Sequence, residues 1–415
     1  MHRTLINIGP RQIAVFCLAL TAFELLTYMA SDLLMPAMLN VTAELHADAR
    51  HVPHAFNLYL LGGVCLQWLL GPLSDRWGRR PLLLIGCALF GAACAAAFFV
   101  NSIELFNLLR LLQGMGLGFV VTVSYPALQE VFCEADAVRL MALLGNVALL
   151  SPLLGPLLGV VLLQWLSWRE LFLGLGLMTA LVWLGLYRYM PETVGVIRRD
   201  GQRSVPTALS WRLTAKRYRA LLGNRRFLCA SLSLGLMSLP LIAWIGLAPL
   251  LLIRLQGLSP VEYGLWQLPV FSAVIVGNLI LDRLLPTHSL PQLIQLALWP
   301  FCLGLLALAG CTLLGASTVS VVASLALYAV GLGMSNAAVY RLALFSSDDS
   351  KGLVSALTGM ISIAVMGLGG SLIAVIGGGA HLGLFALCTA ASGLMCLPLL
   401  YGLLPGTPAD SASDQ

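Results

Sequence analysis

Runs of apolar residues about twenty long recur twelve times along the chain, which leaves little room for any soluble fold. A helix rising ~1.5 Å per residue needs roughly 20 residues to cross the ~30 Å hydrocarbon layer of a bilayer. The runs lie at 13–35, 53–72, 81–100, 105–127, 139–163, 169–189, 226–251, 262–284, 291–312, 318–340, 353–377 and 382–404. Inside lipid each segment must satisfy its own backbone polar groups, and no stretch alternates like a barrel strand, so all twelve read as helices. The split between the last two rests on the break GGGAHLG at 377–383. Composition agrees, with 59% hydrophobic and 10% charged residues and a mean hydropathy of +0.91. Soluble domains carry roughly a quarter charged residues, so the chain is an all-α membrane protein.

Basic residues set the orientation. Arg3, Arg11, Arg76, Arg79, Arg80, Arg139, Arg283, Arg341 and Lys351 fall on one side of the expected membrane, and only Arg50, Arg169 and Arg254 on the other. Both termini are therefore expected in the cytoplasm, with the net charge of +5 reporting topology and no nucleic-acid partner. Six spans precede and six follow the one long polar connector, RRDGQRSVPTALSWRLTAKRYRALLGNRR, an amphipathic, basic, interfacial piece. The expected organisation is a six-helix bundle over 1–190, a cytoplasmic linker over 191–225, a second six-helix bundle over 226–405 and a tail over 406–415. A monomer embedded in membrane lipid is the expected unit.

No cofactor is expected. Without GxxxxGK[ST] there is no site for ATP hydrolysis, and no Ser/His/Asp or HExxH-type cluster points to an enzyme. The six histidines are scattered, so no metal is expected. The ten cysteines sit singly, most within apolar spans, and read as small buried hydrophobes.

Charges inside apolar spans carry the chemistry. Glu24, Tyr28 and Asp32 in the first span are spaced i, i+4, i+8, a single helical stripe with the acids about 12 Å apart. Facing a wet cavity, such acids hold or release protons as their exposure or partners change. Against this stand plainer roles: a structural hydrogen bond for Glu24 and a solvated outer end for Asp32. Arg110 is the one arginine within an apolar span, where a guanidinium costs ~2.5–3.5 kcal/mol. It must be neutralised or functional, unless it snorkels outward. In SPLLGPLLG, Pro152 and Pro156 remove backbone bonds and kink the helix, while Gly155 and Gly159 expose backbone for tight packing. In the loop GPLSDRWGRRP, Gly71 is expected to admit a close neighbour, Asp75 to accept hydrogen bonds, and Arg76, Arg79 and Arg80 to pair with acids or lipid phosphates. The loop after the eighth span echoes it, with Gly277 followed by Asp282-Arg283. Internal repeats of this kind typify secondary transporters. Gln129 and Glu130 are lesser candidates at the inner end of the fourth span.

Together these motifs resemble the major facilitator superfamily, and its drug/proton antiporters in particular. The loop G-x-x-x-D-R-x-G-R-R, the R-x-x-Q-G of Arg110, Gln113 and Gly114, the G-P-x-x-G of the fifth span and the first-span E-x-x-x-Y-x-x-x-D-L-x-x-P carry the likeness through the N-terminal half. SLPLIAWIGLAPL, QLPVF and LFSSDDSKGLVSA extend it into the second. The resemblance implies two pseudo-symmetric six-helix bundles in the inner membrane and proton-coupled export of lipophilic cationic and neutral drugs by alternating access. A narrow-specificity metabolite or sugar exporter is the competing reading. The resemblance to the drug/proton antiporters also implies that Glu24 and Asp32 handle protons and cationic drugs, that Arg110 couples them, and that Tyr28 and Asn146 lie in or beside the cavity. Gly71, Asp75, Arg76, Arg79 and Arg80 would form a gate. Ser31, Ser151 and Val160 depart from the family pattern. Leu239 and Ile242 of the seventh span are expected to line the cavity, with Trp68, Trp244, Trp266, Tyr125 and Met237 as further large apolar candidates.

Overall fold

A computed structural model describes residues 4–196, 199, 211–314, 317–347 and 351–403. In chain order the described residues form α1 (Pro10–Glu44), α2 (His51–Trp77), α3 (Arg79–Ala97), α4 (Ile103–Val131), α5 (Glu134–Leu162), α6 (Trp168–Tyr189), α7 (Trp211–Gly223), α8 (Arg225–Leu255), α9 (Pro260–Leu284), α10 (Leu290–Thr312), α11 (Thr318–Leu344), α12 (Leu353–Gly377) and α13 (Leu382–Tyr401). Among the described residues, 11 helices are long and apolar enough to cross a membrane, and α5 holds a further apolar stretch, Leu150–Leu162. Each of the twelve expected spans thus has its helix, and the connector has α7. The break between the last two spans falls at Gly377, whose φ of +100° suits a residue without a side chain. The expected tail lies outside the described residues, as do Arg198 and Arg203 of the connector.

Local sequence fixes the helix ends. Pro10 opens α1, where its missing N–H is no loss. The Ser102 hydroxyl accepts the Leu105 N–H at 3.3 Å to cap α4, and Ser167 with Glu170 forms a reciprocal cap on α6. Three helices carry a wider π turn, at Val120–Ser124, Pro249–Leu255 and Ala374–Gly378. The first precedes Pro126, which cannot donate to the preceding turn, and the wider turn accommodates that loss.

Burial follows the logic of a lipid solvent. Leu177, Leu181 and Leu184 of α6 and Leu368, Leu372 and Val375 of α12 are exposed, each set spaced i, i+4, i+7 on one helix face. Such outward apolar stripes suit acyl chains. Of the ten cysteines, Cys87, Cys94, Cys311 and Cys396 are buried, but Cys65 is exposed, so the expectation of buried thiols holds only in part. Cys65 donates instead to the Gly62 carbonyl of its own helix.

The chain divides into two compact units, Met1–Trp211 with Leu258–Leu265, and Arg212–Gly257 with Trp266–Gln415. In the first, α2 and α4 cross at Gly62 and Gly114, where a methyl group on either would strike a backbone carbonyl of the other helix, Leu111 or Tyr59. In the second, α9 and α11 cross at Gly277 and Gly333 by the same device. Without a hydrophobic drive between helices in lipid, such close backbone approach is the main source of packing energy. At one end of the first unit, Glu44 accepts from both Trp168 Nε1 and Arg169, and the Arg169 guanidinium lies 4.2 Å from the Trp168 ring centre. At the other end, the N-terminal segment is held by Leu5 N–H on the Val131 carbonyl (2.8 Å) and by Arg199 N–H on the Leu5 carbonyl (2.7 Å).

Candidate functional site

The first unit gathers the buried charges. Glu24 and Asp32 on α1 are both buried, and they look at different helices. The Tyr125 hydroxyl, just past the π turn of α4, donates to Glu24 Oε1 at 3.2 Å. Among the described residues Glu24 Oε2 has no hydrogen-bond partner. Asp32 Oδ2 accepts from the Ser151 hydroxyl of α5 at 2.6 Å. Tyr28, between the two acids on the same stripe, is half-buried.

The helix carrying Ser151 comes this close because of its glycines. A methyl group at Gly155 would sit 2.5 Å from Asp32 Cβ, and one at Gly159 would strike the Leu33 carbonyl. The expected tight packing of Gly155 and Gly159 is therefore directed at the stretch of α1 that bears Asp32. Helix α5 runs on through Pro152 and Pro156. Asn146 belongs to α5, but its side chain lies outside the described residues.

Arg110 is buried and does not reach outward. Its Nη1 donates to the Ala30 carbonyl of α1 at 3.1 Å and to Gln113 Oε1 at 2.8 Å, and its guanidinium lies 4.6 Å from the centre of the Tyr59 ring. Gln113 in turn donates to the Ala93 carbonyl at 3.4 Å. The Tyr59 hydroxyl donates to the Thr27 carbonyl. Gly114 admits α2 so closely that Tyr59 comes over Arg110. The cation is thus solvated by neutral oxygens and a π face, a low-dielectric cage worth ~2 kcal/mol or more for the ring alone. Among the described residues neither carboxylate forms an ion pair with it, and its Nε has no partner.

The loop motif forms a second cluster, at the junction of α2 and α3. Gly78, with φ of +104°, turns the chain, and Arg79 folds back into a buried position. Its guanidinium bridges Asp75 at 2.6 Å and Glu130 of α4 at 2.9 Å, and it also donates to Ser74. Thr193 donates to Glu130 at 2.5 Å. Glu192 lies under the turn, where Oε1 accepts the N–H groups of Arg79 (3.0 Å), Thr193 (2.8 Å) and Val194 (3.1 Å), and Oε2 that of Arg80 (3.3 Å). A carboxylate there complements the positive end of α3. Arg80 Nη2 donates to the Tyr187 carbonyl at 2.5 Å, while Arg76 is exposed.

One expectation needs correcting, at Gly71. Gly71 admits no close neighbour, since a methyl group there would meet nothing within 4 Å. Arg76 pairs with no acid among the described residues. Leu239 is buried against Gly369 of α12, a packing position within the second unit, whereas Ile242 is partly exposed. Met237 and Trp244 are fully buried, with the Met237 carbonyl accepting from the Tyr328 hydroxyl at 2.5 Å. Sequence reasoning misses Tyr59 and Glu192. Tyr59 carries no local signal in an apolar span, but a glutamate directly after the Pro191 that follows the sixth span is a signal that could have found Glu192.

Comparison with known proteins gives a consistent answer. The model of the Major Facilitator Superfamily matches residues 20–374. The chain is 47% identical over 360 residues, 86% of each chain, to the multidrug transporter MdfA of Yersinia pestis bv. Antiqua (strain Angola). It is 44% identical over 398 residues to MdfA of Edwardsiella ictaluri (strain 93-146), covering 95% of this chain and 94% of that one. Among solved structures, a D-xylose-proton symporter superposes with a TM-score of 0.76 at 14% identity, over 95% of this chain and 98% of the other. The human organic anion transporter MFSD10 (TETRAN) gives 0.65 at 17% identity, over 94% and 100%. At those identities the structures speak for the fold alone, while the MdfA proteins are relatives along nearly the whole length. The chain belongs to the major facilitator superfamily.

Proposed function

We propose that the chain is a proton-coupled multidrug efflux antiporter of the inner membrane, acting as a monomer with both termini in the cytoplasm. Its relatives are multidrug transporters, and its two membrane-embedded carboxylates supply the coupling. The observation that carries the reading is that Glu24 and Asp32 are both buried on α1 with hydroxyl donors and, among the described residues, no ion-pair partner. A carboxylate in that state is a place for a positive charge, which a proton or a cationic drug can supply.

In this reading the acids take up protons when the site opens outward, and a bound cation then loses its counter-charge and leaves. When the site opens inward the protons leave and the carboxylates again attract a cation. A neutral drug exchanges through the same change of access by apolar contact. Arg110, held by Gln113, by Tyr59 and by the carbonyl of Ala30, which precedes Asp32 by two residues, adds a fixed positive field that opposes a second cation near Asp32. The Asp75–Arg79–Glu130 bridge acts as a latch on the cytoplasmic side, opening and closing with the inward-facing state.

The test uses everted vesicles containing the full chain, given a cationic or a neutral drug with pH followed on both sides. Drug addition should release protons, and the double replacement Glu24→Gln with Asp32→Asn should abolish that release. Undiminished proton-driven export of cations by the double variant would end the reading. Transport confined to one sugar or metabolite would replace it with a narrow exporter.

A further inference from the structure

The connector helix α7 has two faces of opposite character. Tyr218 and Leu221 pack with Phe227 and Leu228 at the start of α8, Leu344 at the end of α11, and Val354 and Leu357 near the start of α12. Asn224 fixes the corner, its Oδ1 accepting the Phe227 N–H at 3.2 Å and its Nδ2 donating to the Ser346 carbonyl at 2.8 Å. These neighbours are helix ends, so α7 is held at the level where α8, α11 and α12 leave the hydrocarbon.

Away from that packed face, Arg212, Lys216 and Arg219 lie at i, i+4, i+7 in one exposed stripe, and Arg217, nearer the packed face, is exposed as well. Arg225 and Arg226, also exposed, open α8. None of the six pairs with an acid among the described residues. Leu222 is exposed on the flank of the stripe, and at the same helix ends Phe345 is exposed under the Arg341 guanidinium, 5.4 Å from its ring centre. Basic residues interleaved with exposed apolar side chains at this depth have the chemistry of a bilayer interface. A helix is about 10–12 Å across, comparable with the ~10 Å screening length of ordinary salt, so even the outer stripe feels the headgroup plane.

We propose that α7 and the first turn of α8 form a binding surface for anionic phospholipid headgroups, fastening the second unit to the leaflet on that side. The cluster of positive charge, unpaired among the described residues, selects an anionic partner, and the fixed depth together with Leu222 and Phe345 selects a lipid. The proposal is independent of which solute the protein exports.

The purified full-length chain in detergent is titrated with fluorescent phosphatidylglycerol and with phosphatidylcholine bearing the same label. The parent should prefer the anionic lipid, and the preference should weaken as salt rises. Each basic residue near an anionic surface is worth about fivefold in affinity. Replacing Arg212, Lys216, Arg217 and Arg219 by Gln should therefore weaken phosphatidylglycerol binding by at least about tenfold. Replacing the three arginines by Lys, which keeps the charge, should leave binding within about threefold of the parent. Equal uptake of the two lipids, unchanged binding in the glutamine variant, loss of binding in the lysine variant, or preferential capture of tRNA over the anionic lipid would each overturn the proposal.

Discussion

Replacing Gly155 with Ala tests whether α5 presses on Asp32 or merely passes it. The added methyl group would lie 2.5 Å from Asp32 Cβ and 3.3 Å from its carbonyl carbon. Carbon atoms rest at about 3.5–4.0 Å, so the helices must part by roughly 1 Å. Ser151 is one turn away on the same helix, and its 2.6 Å hydrogen bond to Asp32 would lengthen past the limit of about 3.2 Å. Overpacking of this kind costs about 1–3 kcal/mol. Loss of a hydrogen bond between membrane helices adds about 0.6 kcal/mol on average and up to about 1.7. The sum is about 2–5 kcal/mol. A thiol-reactive dye reads unfolding directly, because Cys87, Cys94, Cys311 and Cys396 are buried. The variant should unfold earlier in a denaturant series and release fewer protons on drug addition. Ser151→Ala alone should show the smaller loss, and the double variant should fall short of the sum, since one bond cannot be broken twice. Parent-like stability and proton release in Gly155→Ala would refute the close approach, and additive losses would refute the link through Asp32.

Four other outcomes follow from the same geometry. Gly71→Ala should keep transport and raise stability by up to about 1 kcal/mol in the same dye assay, because the site is open and alanine favours the helix. Tyr59→Phe keeps the ring under Arg110 but leaves the Thr27 carbonyl short of a donor, so unfolding should come about 1–2 kcal/mol earlier with proton coupling retained, whereas Tyr59→Leu should also impair coupling measured in vesicles. Charge removal at Arg79 and at Glu130 should be strongly non-additive in a double-mutant cycle read by unfolding, with a coupling of about 1–3 kcal/mol. Glu192→Gln withdraws the anion that accepts four backbone N–H groups, and should cost about 0.5–2 kcal/mol on the same scale.

What can be read from the sequence depends on whether a residue is out of place where it stands. A carboxylate or guanidinium in an apolar run has no ordinary use, so Glu24, Asp32 and Arg110 stand out from the amino-acid order alone, and all three are buried in the first unit. Helix number and breaks are legible for the same reason, since lipid leaves the backbone no alternative. Tyr59, Tyr125 and Ser151 are ordinary tenants of a membrane helix, and each acquires its role only from a partner far along the chain: Arg110, Glu24 and Asp32 respectively. Glycines fall on both sides of this divide. Gly155 and Gly71 look alike in sequence, but what faces them differs, the side chain of Asp32 in one case and open space in the other. The second unit gives the complementary case. Its buried polar side chains among the described residues are Ser231, Ser233, Gln267, Ser324, Ser335, Thr358 and Thr389, with no charge among them. Nothing in those spans is anomalous, so the sequence offers only apolar candidates there, Leu239 and Ile242 with Met237, Trp244 and Trp266, and Leu239 packs against Gly369. If proton and cation compete for charge, the buried charged groups for that competition lie, among the described residues, in the first unit. Moving a carboxylate from Glu24 to a buried position of the second unit, as in Glu24→Gln with Gln267→Glu, should therefore fail to restore drug-induced proton release; restoration would show that the coupling needs only a buried acid, wherever the fold supplies one.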